Sequence, residues 1–205
     1  MARTPSVVVF DVNETLSDMT PIAERFTEIG APEHLAKTWF AVLADGALRT
    51  LLNEVQLDRD LDAAVEHVLS GFMDLPVHPD VPDGARALRA AGFRLVTLSN
   101  GSTRVAERLL TRAGIRQAFE VLLSVEDAGS WKPARDAYEY AARTCGTDPA
   151  EMLLVAVHPW DIDGAARAGM STAWLNRGGT PYPGHFTRPE HTAPTLNELS
   201  DELAG

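Results

Sequence analysis

From Asp83 onwards, short apolar runs rich in branched and aromatic residues alternate with stretches of helical periodicity, and this alternation restricts the fold more than any other feature. Phe93–Leu98, Val121–Val125, Met152–Val157 and Ser171–Leu175 read as strands. Gly84–Ala91, Arg104–Arg112, Ala134–Arg143, Ile162–Ala168 and Leu196–Leu203 read as helices, three of them stopped by Gly92, Gly114 and Gly169. Such alternation predicts an α/β fold: a Rossmann-like parallel sheet with helices on both faces and right-handed crossovers.

One strand precedes this region. Val7–Phe10 is a continuous apolar run ending in an acid, as expected for a parallel strand buried on both faces. Between Pro21 and about Leu75 the signal is helical. Ile22, Phe26 and Ile29 recur at helical spacing, as do Leu61, Val65, Val68, Leu69 and Phe72. Pro32 followed by Glu33 marks a helix start. The stretch Pro76–Pro82, with three prolines, reads as a linker. The expected organisation is a core domain of residues 1–17 and 79–205, with a small all-helical cap, 18–78, inserted after the first strand.

A formal charge of −11 disfavours nucleic acid as a partner, because phosphates would be repelled. No apolar run approaches the ~20 residues needed to span a bilayer. The N-terminal apolar run is too short for a signal peptide and ends in acid, so a cytoplasmic location is expected, with no membrane partner. The single cysteine, Cys145, has no partner for a disulfide or for metal-ligand spacing and reads as packing. Ligands of open α/β sheets bind beyond the carboxyl ends of the strands. That rule directs attention to Asp11, Ser99, the Lys132 loop and Asp161, each of which follows an expected strand.

Four segments carry these residues: FDVNETLSD (Phe10–Asp18), LSNGS (Leu98–Ser102), SWKPARDAYEYA (Ser130–Ala141) and VAVHPWDIDGA (Val155–Ala165). In order, spacing and strand context the set resembles the haloacid dehalogenase superfamily over nearly the whole chain. Within it the chain is most similar to the type II 2-haloacid dehalogenases. The resemblance implies that Asp11 is a nucleophile forming a covalent ester; an isolated Asp would more often be a cap or loop acid. It implies that Thr15 supports the nucleophile and that Ser99 and Asn100 hold a substrate carboxylate or phosphate. Lys132, followed by Pro133, would keep neighbouring carboxylates ionised. Asp161, in the pair Trp160-Asp161, would orient Lys132 or help activate the water that opens the ester. Tyr138 falls where the dehalogenases have a site tyrosine, although a mid-helix aromatic is also a common core residue.

The chain departs from the pattern in several places. Asn13 stands where phosphatases have a second aspartate and type II dehalogenases a tyrosine. Asn donates hydrogen bonds but is no general acid, so it fits substrate binding better than phosphoryl transfer. Glu14 replaces the usual glycine and has no role implied. Ala156 and His158 replace a serine and an asparagine; His158 is a candidate to bond the site or relay a proton, or a structural histidine beside Pro159. Val157 replaces a common metal-binding acid. Trp39 is followed by Phe40 where an arginine is usual, and this pair could line an apolar pocket or fill the cap interior.

The expected function is therefore hydrolysis through an aspartyl ester, dehalogenating a short 2-haloacid without metal or cofactor. A Mg²⁺-dependent phosphatase, with Asp11 and Asp161 holding the ion, and a non-catalytic binding protein are the alternatives. The expected partner is a small carboxylic acid. Dimers occur among the proteins the chain resembles, so a homodimer is an open alternative.

Overall fold

The computed structural model describes the backbone at residues 5–42 and 45–205, and the side chains there except at 37, 40–42, 45 and 46. The chain forms two compact units, one made of residues up to Ser17 and from Pro76 to Gly205, the other Asp18–Leu75. The second boundary lies at Pro76, inside the proline-rich stretch and slightly before the expected position of 79.

In chain order the elements begin with strand β1 (Val7–Phe10). Four helices follow, α1 (Thr20–Thr27), α2 (Leu35–Val42), α3 (Asp45–Asn53) and α4 (Leu61–Met73), and they make up the inserted unit. The first unit resumes with α5 (Val81–Ala90), β2 (Arg94–Ser99), α6 (Thr103–Arg112), β3 (Phe119–Ser124), α7 (Val125–Ala128) and α8 (Arg135–Cys145). It ends with β4 (Met152–Ala156), α9 (Pro159–Ala168), β5 (Ser171–Leu175), β6 (His191–Ala193) and α10 (Leu196–Ala204).

The six strands form one sheet in the order β3-β2-β1-β4-β5-β6, and every pairing is parallel. This is the Rossmann-like α/β fold with helices on both faces. β1 lies in the middle, with Phe10 paired to Thr97 on one side and Val155 on the other. All four of its residues are fully buried, which explains why its sequence is apolar without alternation. Val7 and Val9 pack with Ala137, Tyr138, Ile162 and Ala165 of α8 and α9. Cys145 is buried in the same cluster and free of any disulfide.

Several boundaries depart from the sequence-based expectation. α9 begins at Pro159, not at Ile162, because proline is well suited to the first turn of a helix. Trp160 and Asp161 thereby sit in that first turn. α5 likewise starts at Val81 with Pro82 in its first turn, so the linker is shorter than expected. β6 and α7 were not expected: each is shorter than five residues and has no periodicity to reveal it. Where α5 meets α10, a Cβ on Gly84 would come within 2.6 Å of Leu196, so close packing there requires glycine.

In the inserted unit, Trp39 packs between Phe26 and Phe72, with ring centroids 6.2 and 5.7 Å away. Asp60 caps α4 by accepting from the Ala63 N–H. No helix among the described residues is long and apolar enough to cross a membrane.

Candidate active site

The site is built at the carboxyl edge of the sheet. Asp11 is the first residue past β1, and its N–H still donates to the Val155 carbonyl, so the strand ladder holds its backbone. Residues 12–17 then turn tightly, with the N–H groups of Leu16 and Ser17 both donating to the Val12 carbonyl. This turn brings Thr15 back over Asp11. Thr15 Oγ1 donates to Asp11 Oδ2 at 2.7 Å and accepts from the Val157 N–H at 3.1 Å, linking the ends of β1 and β4.

Lys132 Nζ lies between two carboxylates, 2.8 Å from Asp11 Oδ1 and 2.6 Å from Asp161 Oδ2. The Lys132 side chain and that of Asp161 have no exposed surface, and only 6% of the Asp11 side chain is exposed. A buried ammonium is tolerated here because two opposite charges offset its lost hydration. Burial alone would raise the Asp11 pKa; Lys132 and His158 overcome this and hold it well below the usual carboxylate range. Burial would lower the Lys132 pKa, but the charges of Asp11 and Asp161 raise it, so the lysine stays cationic. Burial pushes Asp161 up, against the pull of Lys132 and with the Asp11 charge adding to the rise. The Trp160 ring lies 5.8 Å from Lys132 Nζ.

The remaining residues singled out in the sequence fall into place around this trio, some with a different duty. Tyr138, expected to meet substrate, is buried and donates its hydroxyl to Asp161 Oδ1 at 2.6 Å. It therefore fixes Asp161 instead of facing a ligand; burial and the Asp161 charge raise its pKa far above the ordinary tyrosine value. Asn100 spends its amide on the Lys132 backbone: Oδ1 accepts from Lys132 N–H at 3.0 Å and Nδ2 donates to Lys132 C=O at 3.4 Å. It clamps the lysine loop, and the second Nδ2 hydrogen is left for the expected substrate contact. His158 directs Nδ1 to Asp11 Oδ2 at 3.2 Å and Nε2 to Glu14 Oε2 at 2.7 Å, leaving neither nitrogen for a substrate. Trp39, 2% exposed, is an aromatic core residue of the inserted unit, and a pocket-lining duty is set aside for it. The side chain of Phe40 lies outside the described residues.

Ser99 and Asn13 are the polar groups best suited to a ligand. Ser99 Oγ accepts from the Gly101 N–H at 2.9 Å, and a hydroxyl in that position can still donate. Asn13 is buried, and its Oδ1 has no hydrogen-bond partner among the described residues. A side-chain carbon added at Gly101 would lie 3.4 Å from Ser99 Oγ and 3.6 Å from Asn13 Nδ2, so the bare glycine leaves room beside both.

The sequence assigns no role to two residues of this site. Glu14 meets His158, and nothing in its neighbourhood along the chain announces that contact, which spans 144 positions. Gly164, on α9, permits Pro133 and Tyr138 to approach: a Cβ there would sit 2.6 Å from Pro133 Cβ and from the Tyr138 hydroxyl.

A metal fits these residues poorly. Asp11 and Asp161, the acids that would hold Mg²⁺, both face the Lys132 ammonium, which stands where a cation would. Among the described residues no group of three or more His, Cys, Asp or Glu side chains could ligate an ion.

Fold and site together define a Rossmann-like α/β protein with a buried carboxylate–ammonium–carboxylate centre. The family model for haloacid dehalogenase-like hydrolases matches residues 5–169, and the chain belongs to that family. It is 30% identical over 223 residues to the (S)-2-haloacid dehalogenase of Pseudomonas sp. strain YL, covering 97% of this chain and 95% of that one. It is 33% identical over 158 residues to haloacetate dehalogenase H-2 of Moraxella sp. strain B, covering 77% of this chain and 70% of the relative. A solved crystal structure of a dehalogenase with an intermediate complex superposes with a TM-score of 0.88 at 26% identity, covering 100% of both chains.

Proposed function

We propose that this hydrolase cleaves the carbon–halide bond of a short 2-haloacid through a covalent ester on Asp11. The observation that carries the reading is the Asp11 carboxylate itself. It lies at a parallel strand end, nearly buried, ionised by Lys132 and steadied by Thr15. A desolvated carboxylate held in this way is a competent nucleophile toward carbon. Its similarity to two haloacid-cleaving relatives supports the substrate class.

In the first half-reaction an Asp11 oxygen bonds to the carbon beside the substrate carboxylate, and the halide leaves with the bonding pair. Ser99 and Asn13 offer donors for the acid end of the substrate. In the second, water attacks Asp11 Cγ, the hydroxy acid departs, and the carboxylate is restored. Lys132 compensates charge in both halves, while Asp161, Tyr138 and Asn100 keep it in place. No metal takes part in these steps, and no contact among the described residues favours the phosphatase reading. This reading includes a cytoplasmic location and leaves a homodimer as an open alternative.

Halide release from chloroacetate, 2-chloropropionate and fluoroacetate tests it, beside a panel of phosphate monoesters with and without Mg²⁺. The expected result is halide release that survives a chelator and falls by roughly 10⁴-fold or more in Asp11→Asn. Magnesium-dependent phosphate release without halide release would return the phosphatase. Ligand binding without turnover, unchanged in Asp11→Asn, would make the chain a binding protein.

A further inference from the structure

Glu14 and His158 remain outside the steps above, yet the structure ties both to the nucleophile. Glu14 is the one non-glycine residue with positive φ among the described residues, at +60°. L side chains rarely adopt that conformation, and glycine would do so freely. The backbone is pinned there on both sides. The Glu14 N–H donates to Ser17 Oγ at 3.1 Å, and the Glu14 carbonyl accepts from His78 Nε2 at 3.0 Å. A strained position that its surroundings over-determine is a recurrent mark of function. Here the outcome is a carboxylate placed 2.7 Å from His158 Nε2, with the other ring nitrogen 3.2 Å from Asp11 Oδ2.

Both ring nitrogens face carboxylate oxygens, which have no hydrogen to give. Each nitrogen must therefore donate, and the resting ring is an imidazolium. The Trp160 ring, 5.1 Å away and tilted by 30°, flanks it. Burial by itself would lower the His158 pKa; hydrogen bonds and charges from Asp11 and Glu14 raise it to about 10.

We infer that His158 is the base for ester hydrolysis: it takes the proton of the water that attacks Asp11 Cγ, and Glu14 is the positioning residue that orients its ring. The inference rests on the dehalogenase reading above and adds the residue that the second half-reaction needs. Asp161 is poorly placed for that duty. Its Oδ1 holds the Tyr138 hydroxyl, its Oδ2 holds Lys132, and it has no exposed surface.

The reaction itself switches the histidine. Ester formation removes the Asp11 negative charge, so Nδ1 loses the anion that held its proton, and that proton passes to solvent. Glu14 still accepts from Nε2, leaving Nδ1 as a bare acceptor beside the ester. As water oxygen bonds to Cγ, one of its protons moves to Nδ1. The Cγ bond to the substrate oxygen then breaks, and the departing oxygen takes that proton to become the hydroxyl of the product. The remaining water proton passes from the new Asp11 carboxyl group to Nδ1, which restores the imidazolium–carboxylate pair. The balance is one water consumed, with one halide and one proton released.

Rapid acid quench followed by intact-protein mass spectrometry, with halide measured in parallel, separates the two halves. In His158→Asn a donor to Asp11 is kept but no proton can be accepted. This variant should keep its halide burst, accumulate the ester, and lose about 10²–10³-fold in steady-state turnover. Glu14→Gln, a change at a half-exposed side chain, should keep the burst and slow ester hydrolysis about tenfold, which serves if His158→Asn fails to fold. In His158→Ala, added imidazole should speed loss of the ester. Variants that hydrolyse the ester at the wild-type rate, or that lose burst and turnover together, would overturn the role of His158. A wild type that releases no halide from any haloacid would instead overturn the dehalogenase reading beneath it.

Discussion

At the scale of single residues, the centre is governed by one cation shared between two buried acids. Removing Lys132 would leave Asp11 and Asp161 facing each other without compensation. Lys132→Met is expected to lose about 3–5 kcal/mol of unfolding free energy, the usual cost of breaking a buried ion pair. Urea titration at neutral pH checks this; a midpoint matching wild type would show that the ammonium is dispensable to the fold. His158 has a stability signature of its own. Its pKa is raised from 6.5 to about 10 in the folded chain by Asp11 and Glu14, with Lys132 sharing Asp11 and His78 bonding the Glu14 carbonyl. A raised pKa stabilises the fold fully below about pH 6.5, and that contribution fades as pH climbs towards 10. The stability gap between wild type and His158→Asn should therefore be wide at pH 6 and narrow at pH 9.5. A gap independent of pH would mean the imidazolium is not what holds this corner. Asp11 and Asp161 are legible in the sequence because one follows the apolar strand β1 and the other follows the apolar run of β4, and Lys132 because it precedes Pro133 in the third of four ordered segments. Glu14 is not, because a backbone φ and a partner 144 positions away leave no trace in residue type.

At the scale of elements, β1 and α9 matter most. β1 supplies a fully buried strand whose end delivers Asp11, and four consecutive apolar residues make that readable from sequence. α9 is less readable, since its first turn holds Pro159, Trp160 and Asp161, which look like a loop beyond a strand. Its position against α8 depends on Gly164, which lies under Pro133 and the Tyr138 hydroxyl. Gly164→Ala would force those groups apart, at a cost of about 1–3 kcal/mol for overpacking. It should also cut turnover, because Tyr138 and the Lys132 loop are displaced together. Thermal melting beside a halide assay tests both; a variant with normal melting and normal activity would show that the contact is slack. The contacts of Tyr138 and Asn100 are hidden from the sequence for a related reason. Their positions along the chain place them near the centre, but only the three-dimensional contacts reveal that they bond Asp161 and the Lys132 backbone.

At the scale of the whole molecule, a parallel sheet carries the chemistry and a helical insertion interrupts the chain between Ser17 and Pro76. Ser17 and Val77 pair through an isolated antiparallel bridge, so the chain leaves and rejoins the sheet-bearing unit at one place. The alternation of strand and helix after Asp83 makes this architecture legible, while the polar three-residue β6 escapes it. Every step proposed for the molecule passes through an oxygen of Asp11 that is exchanged for one from water. A single turnover of excess enzyme with a 2-haloacid in ¹⁸O-labelled water, followed by peptide mass spectrometry, reads that exchange directly. The account predicts one heavy oxygen in the peptide containing Asp11 and none in the hydroxy acid. Label found in the hydroxy acid, with Asp11 unlabelled, would mean that water attacks the substrate carbon itself and that no ester forms.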